Sequence, residues 1–164
     1  MRDEDVLNES PFPRCQVDAS WVTNSTVFGG GFAFDFEPGS HTYGSFGMRQ
    51  VPSPLHAEIN ILLIAMKSSL QLGYTSMFFE SDCLQLVKLI NENEDWPSLA
   101  SEMNEFTFLV SEFNVFSISF IARNRNVRAD LLAKGARLKN SIFSHVNYLI
   151  PTWLASQANF FVLN

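Results

Sequence analysis

The hydrophobic pattern of this chain changes period, and the change decides what it can fold into. From Arg14 to Val22 the residues alternate, with Cys15, Val17, Ala19 and Trp21 on one face and Gln16, Asp18 and Ser20 on the other. That is the period of a half-buried strand. A turn at Asn24-Ser25 leads to a second strand, Thr26 to Phe36, and EPGS at 37–40 leads to a third, His41 to Gln50. Three glycines in the second strand, Gly29 to Gly31, imply a bulge or a close backbone approach. At Ser53-Pro54 the pattern turns helical: a cap, Pro at the first helical position, then Leu55, Ile59, Leu62, Leu63, Met66 and Leu70, closed by Gly73.

The second half mixes both periods. Thr75 to Ser81 is a short apolar run suited to a buried parallel strand. Asp82 to Asn91 reads as a helix, and Leu99, Met103, Phe106, Val110 and Phe113 form another helical stripe. Val115 to Ile121 alternates again. The stretch from Asn124 to Lys139 reads as a closing helix whose Ala129, Leu132, Ala133 and Ala136 make a small-residue face. The order β-β-β-α-β-α-α-β-α predicts an α/β fold: a five-stranded mixed sheet, three antiparallel strands then two parallel, flanked by helices. Residues 1–13, acidic and ending in PFP, are expected to be a flexible lead-in. Residues 14–140 form the domain, and 141–164 a docked C-terminal tail.

One domain is what 164 residues predict. A formal net charge of −6 argues against coating nucleic acid by bulk electrostatics, but not against a local basic patch. Two cysteines, Cys15 and Cys83, supply neither a disulfide framework nor zinc spacing. The polar N-terminus is no signal peptide, and no apolar run reaches membrane-spanning length. These features predict a soluble, intracellular monomer with no membrane contact and no organic cofactor.

Four acids fall where chemistry would want them. Asp18 sits mid-strand, Glu58 near the start of the first long helix, Asp82 at the end of the fourth strand and Asp130 at the start of the last helix. Sites in such sheets gather at the carboxyl ends of parallel strands. Converging carboxylates repel and raise each other's pKa, and a divalent cation relieves this. Oxygen-only ligands suit Mg²⁺ or Mn²⁺. Two such ions about 4 Å apart activate water and stabilise a leaving oxygen in phosphodiester cleavage. Each acid also has an ordinary reading. Asp18 suits a solvent-facing strand position, and Glu58 a helix dipole. Asp82 suits an N-cap, and Asp130 a balance for Arg125, Arg128 or Lys134. Six of the eleven Lys and Arg lie between Arg123 and Lys139. Asn126 shares a helical face with Asp130, and Arg123, Arg125 and Arg128 are candidates for contact with substrate phosphates. Glu80 is expected to be structural, and the scattered His41, His56 and His145 match no ligand spacing.

CQVDASW, LHAEINILLIA, FFESDCLQLVKLI and RNRNVRADLLAKGA resemble, in order, the four acidic motifs of the type 1 ribonuclease H domain. The likeness is to the shorter, reverse-transcriptase-associated form abundant in plants as retroelement-like pieces, and it covers roughly residues 14–140. The resemblance implies Asp18, Glu58, Asp82 and Asp130 as ligands of Mg²⁺ or Mn²⁺, two ions, in an endoribonuclease that cuts the RNA strand of RNA–DNA hybrids. Two departures stand out. FIARNRN occupies the loop where well-known members carry a histidine, and Phe120 stands where relatives often have His. The interval from Asp82 to Asp130 is also too short for the basic extra helix some relatives use. These departures motivate the alternative, a catalytically weak or inactive module of retroelement origin that binds nucleic acid or a protein.

Overall fold

The computed structural model describes residues 11–149 and 151. Three antiparallel strands come first: β1 (Arg14–Ser20), β2 (Val27–Glu37) and β3 (Ser40–Arg49). Next comes α1 (Pro54–Gln71), then β4 (Ser76–Ser81), α2 (Leu84–Asn91) and α3 (Ala100–Ser111). The chain continues with β5 (Val115–Phe120), a 3-10 turn at Arg123–Arg125, α4 (Val127–Lys139) and β6 (Phe143–Asn147). The sheet order is β5-β4-β1-β2-β3-β6, with β1, β4 and β5 mutually parallel and the remaining pairings antiparallel.

The sixth strand corrects the five-stranded expectation. FSHVN carries Ser144, His145 and Asn147, so no apolar alternation betrays it; it is held by pairing along β3, from Tyr43↔Asn147 to Gly47↔Phe143. The expected docked tail therefore begins as a sheet strand. Its residues 150 and 152–164, like residues 1–10 of the expected lead-in, lie outside the described residues.

α1 starts where its sequence says it should. The Ser53 side chain accepts from the His56 N–H, and Pro54 opens the first turn. Its apolar stripe, Leu55, Ile59, Leu62, Leu63 and Met66, is buried against Phe32, Phe34 and Phe46 of the sheet. Burying each such side chain stabilises by about 1.5–3 kcal/mol. The core continues under α2 and α3 through Phe79, Leu86, Leu89 and Phe106.

α4 lies on the opposite face, over β1, β2 and β3. Its close seat explains two of the three strand glycines. A Cβ on Gly29 would fall 1.9 Å from the Ala133 carbonyl oxygen, and one on Gly31 would fall 2.4 Å from that of Ala129. The glycines thus serve a close backbone approach; the sheet irregularity lies farther along, between Asp35 and Glu37. Because Asp18 pairs with Gly31, its side chain shares the face on which α4 lies. α4 therefore meets β1 at Asp18.

Candidate active site

The structure brings the four acids together. Asp18, Glu58, Asp82 and Asp130, from β1, α1, the end of β4 and the first turn of α4, line one open cavity of about 320 Å³. Parallel pairing sets Val17 beside Ser81, so Asp82 leaves its strand next to Asp18. Glu58 reaches the end of β1 from α1, and its Oε1 accepts from the Ala19 N–H at 3.3 Å. The same N–H lies 3.0 Å from Asp18 Oδ1.

The electrostatics of this cavity are those of crowded like charges. Asp18 and Glu58 are buried. Burial, the Glu58, Asp82 and Asp130 charges and contact with the Asp130 carboxyl push the Asp18 carboxyl far above the carboxylate range. Burial and the Asp82 charge push Glu58 up likewise, against the opposing pull of the Ala19 N–H. Glu58 Oε2 is buried with no hydrogen-bond partner among the described residues. Two cations stand at the rim: Lys134 Nζ is 3.0 Å from Asp130 Oδ2, and the exposed Arg123 Nε is 3.6 Å from Asp82 Oδ2. As placed, no three His, Cys, Asp or Glu among the described residues form a group that could hold a metal ion. Lys134 holds one of the carboxylates instead. The four acids still fit a hard divalent cation: they offer carboxylate oxygens, one of them, Glu58 Oε2, buried without a hydrogen-bond partner among the described residues.

One neighbour escapes a sequence reading, and a second enters it only as a balancing charge. The alternation predicts that Trp21 faces away from Asp18, but β1 ends at Ser20, and Trp21 forms a wall of the acid cavity. Its indole N–H donates to the Val51 carbonyl at 2.8 Å, which fixes the ring. Of the three cations that the sequence offers to balance Asp130, the structure pairs it with Lys134, four residues on along the same face. Asp82 is not a helix cap: Cys83 occupies that position, without a side-chain bond.

Asn126 and Arg128, both expected on the substrate side, are buried, though the Arg128 guanidinium still lines a cavity. Asn126 is fully buried, and its Nδ2 donates to the Val17 carbonyl at 2.9 Å. It therefore pins the start of α4 to β1. Arg128 is buried against Asp35, Nη1 donating to Oδ1 at 2.7 Å and Nη2 to Oδ2 at 2.6 Å. Arg128 Nη2 also donates to Gln16 Oε1, and the Gln16 Nε2 donates to Glu80 at 3.3 Å. Glu80 is thus anchored inside. His41 Nδ1 lies 2.6 Å from Asp35 Oδ1, so that histidine belongs to the same buried network. Arg123 and Arg125 are exposed.

The comparisons with known proteins follow the same lines. A family described as reverse transcriptase-like matches residues 17–136. No curated protein matches significantly. Among solved structures, the RNase H1 from the halophilic archaeon Halobacterium salinarum NRC-1 is 21% identical with a TM-score of 0.71, over 79% of this chain and 98% of that one. LC11-RNase H1 from compost, solved in complex with an RNA/DNA hybrid, is 19% identical with a TM-score of 0.70, over 77% and 96%. The N-terminal RNase H domain of a Mycobacterium tuberculosis protein is 19% identical with a TM-score of 0.64, over 78% and 96%. The fold is that of ribonuclease H. Among the described residues no helix is long and apolar enough to cross a membrane.

Proposed function

This chain belongs to the reverse transcriptase-like family, and on that footing we propose that it is a metal-dependent endoribonuclease cutting the RNA strand of RNA–DNA hybrids. The observation that carries this reading is the convergence of Asp18, Glu58, Asp82 and Asp130 on one cavity from four separate elements. Those four carboxylates would hold Mg²⁺ or Mn²⁺, in two sites. The bound ions would supply charge neutralisation and an activated water for phosphodiester hydrolysis. The chain's own residues prepare the place. Glu58 is held by the Ala19 N–H, Asn126 fixes the helix that presents Asp130, and Trp21 closes one side. Arg123 and Lys134 bring positive charge to the rim, where a substrate phosphate would lie.

The direct test is incubation of a hybrid labelled on its RNA strand, with and without Mg²⁺. Metal-dependent cuts in that strand, and none in duplex DNA, are the expected result. An intact RNA strand at every metal concentration would leave the second reading, a hybrid-binding module without turnover. That reading is favoured by the ion pair through which Lys134 holds Asp130.

The same cavity sets a pH dependence. A carboxyl whose folded pKa is raised keeps a proton that the unfolded chain has released, so stability falls as pH rises from the ordinary carboxylate range to the raised value. For Glu58 that window closes at about 8. Metal-free protein is therefore expected to melt at a lower temperature at about pH 8 than at about pH 5, and Mg²⁺ or Mn²⁺ to raise the midpoint far more at the higher pH. Scanning calorimetry in chelator and in metal measures both. Equal midpoints at the two pH values would mean that the acids are not crowded.

A further inference from the structure

A second cavity, of about 210 Å³, opens on the other side of the Arg123–Arg125 turn. Arg14, Gln16, Asn124, Arg125, Val127 and Arg128 line it, three arginines and no acid, in a chain whose acids outnumber its bases 17 to 11. Its parts are held in place. Arg128 forms part of the lining, locked by Asp35 and Gln16. Arg14 donates its Nε to Asp35 at 2.9 Å and lies over the Phe12 ring at 4.8 Å, so its guanidinium is positioned rather than loose. The first turn of α4 opens here, and its N-cap residue, Asn126, makes no side-chain capping bond. Its leading N–H groups and its dipole therefore favour an anion at this end. Arg123 and Arg125 sit two residues apart on one turn, the first beside Asp82 and the second in this cavity.

We propose that this cavity is an anchoring site for a backbone phosphate of the nucleic-acid strand whose scissile phosphate lies at the acid cavity, with Arg14 and Arg125 as its cationic walls. The proposal rests on the nuclease reading for the identity of that strand. The spacing suits it. Arg14 and Asp18 are four residues apart on one strand, about 13 Å. Successive phosphates of a strand advance about 3.4 Å along a duplex axis. The anchored phosphate therefore lies a few nucleotides from the cut, with the turn between them.

The test is equilibrium binding of a fluorescent RNA–DNA hybrid to the full chain in chelator, across a salt series. Arg125→Gln changes an exposed side chain and leaves the core intact. It is expected to weaken binding about tenfold and to reduce the slope of log affinity against log salt by about one. Arg14→Gln is expected to act similarly, and Arg14→Lys, which keeps the charge, to recover most of the loss. Methylphosphonates, placed one at a time along each strand, should reveal one phosphate whose neutralisation weakens the wild type but not Arg125→Gln. Wild-type affinity and slope in both Gln variants would overturn the site, whether or not the hybrid is cut. The expected binding pattern without Mg²⁺-dependent cutting would sink the nuclease reading and leave the phosphate site standing. A wild type that binds no hybrid ends both.

Discussion

Asp18→Asn is expected to reduce metal-dependent cleavage of the hybrid about a thousandfold or more, while making the metal-free protein more resistant to heat. The two effects have one cause. Asp18 is buried among Glu58, Asp82 and Asp130, so its charge is costly without a cation and useful with one. Asn keeps the shape and the oxygen that faces the Ala19 N–H, so the fold has no reason to change. It removes the central negative charge, and with it a strong metal ligand. Without metal at neutral pH the fold holds Asp18 protonated, while the unfolded chain has released that proton. Asn is free of this cost, a gain of about 1 kcal/mol or more, which for a chain of this size is roughly 2–4 °C in the melting midpoint. The measurements are cleavage rate in Mg²⁺ and a melt in chelator. Retained cleavage would remove Asp18 from the chemistry. Lost cleavage with a lower melting point would mean that the carboxylate props up the fold instead.

Much of this site was legible because each acid sits at a recognisable landmark: a strand interior, a helix opening, a strand end, another helix opening. Ser53-Pro54 announces α1, and the apolar run before Asp82 announces a buried strand. What the pattern hides is which of several like residues turns inward. Four bases crowd Arg123 to Lys134, and nothing in their order says that Arg128 alone is buried. Two signals were available. Arg128 shares a helical face with Leu132 and Ala136, which are buried, and Asp35 interrupts the run of Phe34 and Phe36 on an otherwise apolar strand. An acid inside one element and a base on the inner face of another ask to be paired. Trp21 was misplaced for a different reason: alternation continues in the sequence past Ser20, where the strand itself stops. β6 leaves no periodic trace because its place is fixed by backbone pairing to β3.

The buried pair gives the largest stability effect to be expected. Asp35→Ala should destabilise the fold by about 3–5 kcal/mol, since removing one member of a buried pair strands the other's charge. Asp35 is 1% exposed and takes two bonds from Arg128, one from Arg14 Nε and one from His41 Nδ1. Without it Arg128 keeps Gln16 Oε1 and the Tyr43 hydroxyl, neither of which carries a balancing negative charge, and stays buried. Against a total of about 5–15 kcal/mol, such a loss brings the protein near the edge of folding. The acid limb of stability carries the same signature. Burial pushes the Asp35 carboxyl up, but the bonds and charge of Arg128, with the bonds of Arg14 and His41, outweigh it and hold the group at about 2. A lowered folded pKa means that the contribution is fully present above the ordinary carboxylate range and fades as pH falls through about 2. Asp35→Ala should therefore lose stability at neutral pH and lose less than the wild type on acidification. Replacing both partners, Asp35→Leu with Arg128→Met, should recover most of the neutral-pH loss, because it leaves no buried charge unpaired, and Arg14 and His41, which also lose Asp35, both reach solvent. Denaturant melts of the single and double variants decide it. A single variant within about 1 kcal/mol of the wild type would show that Arg128 finds water or another acceptor once Asp35 is gone.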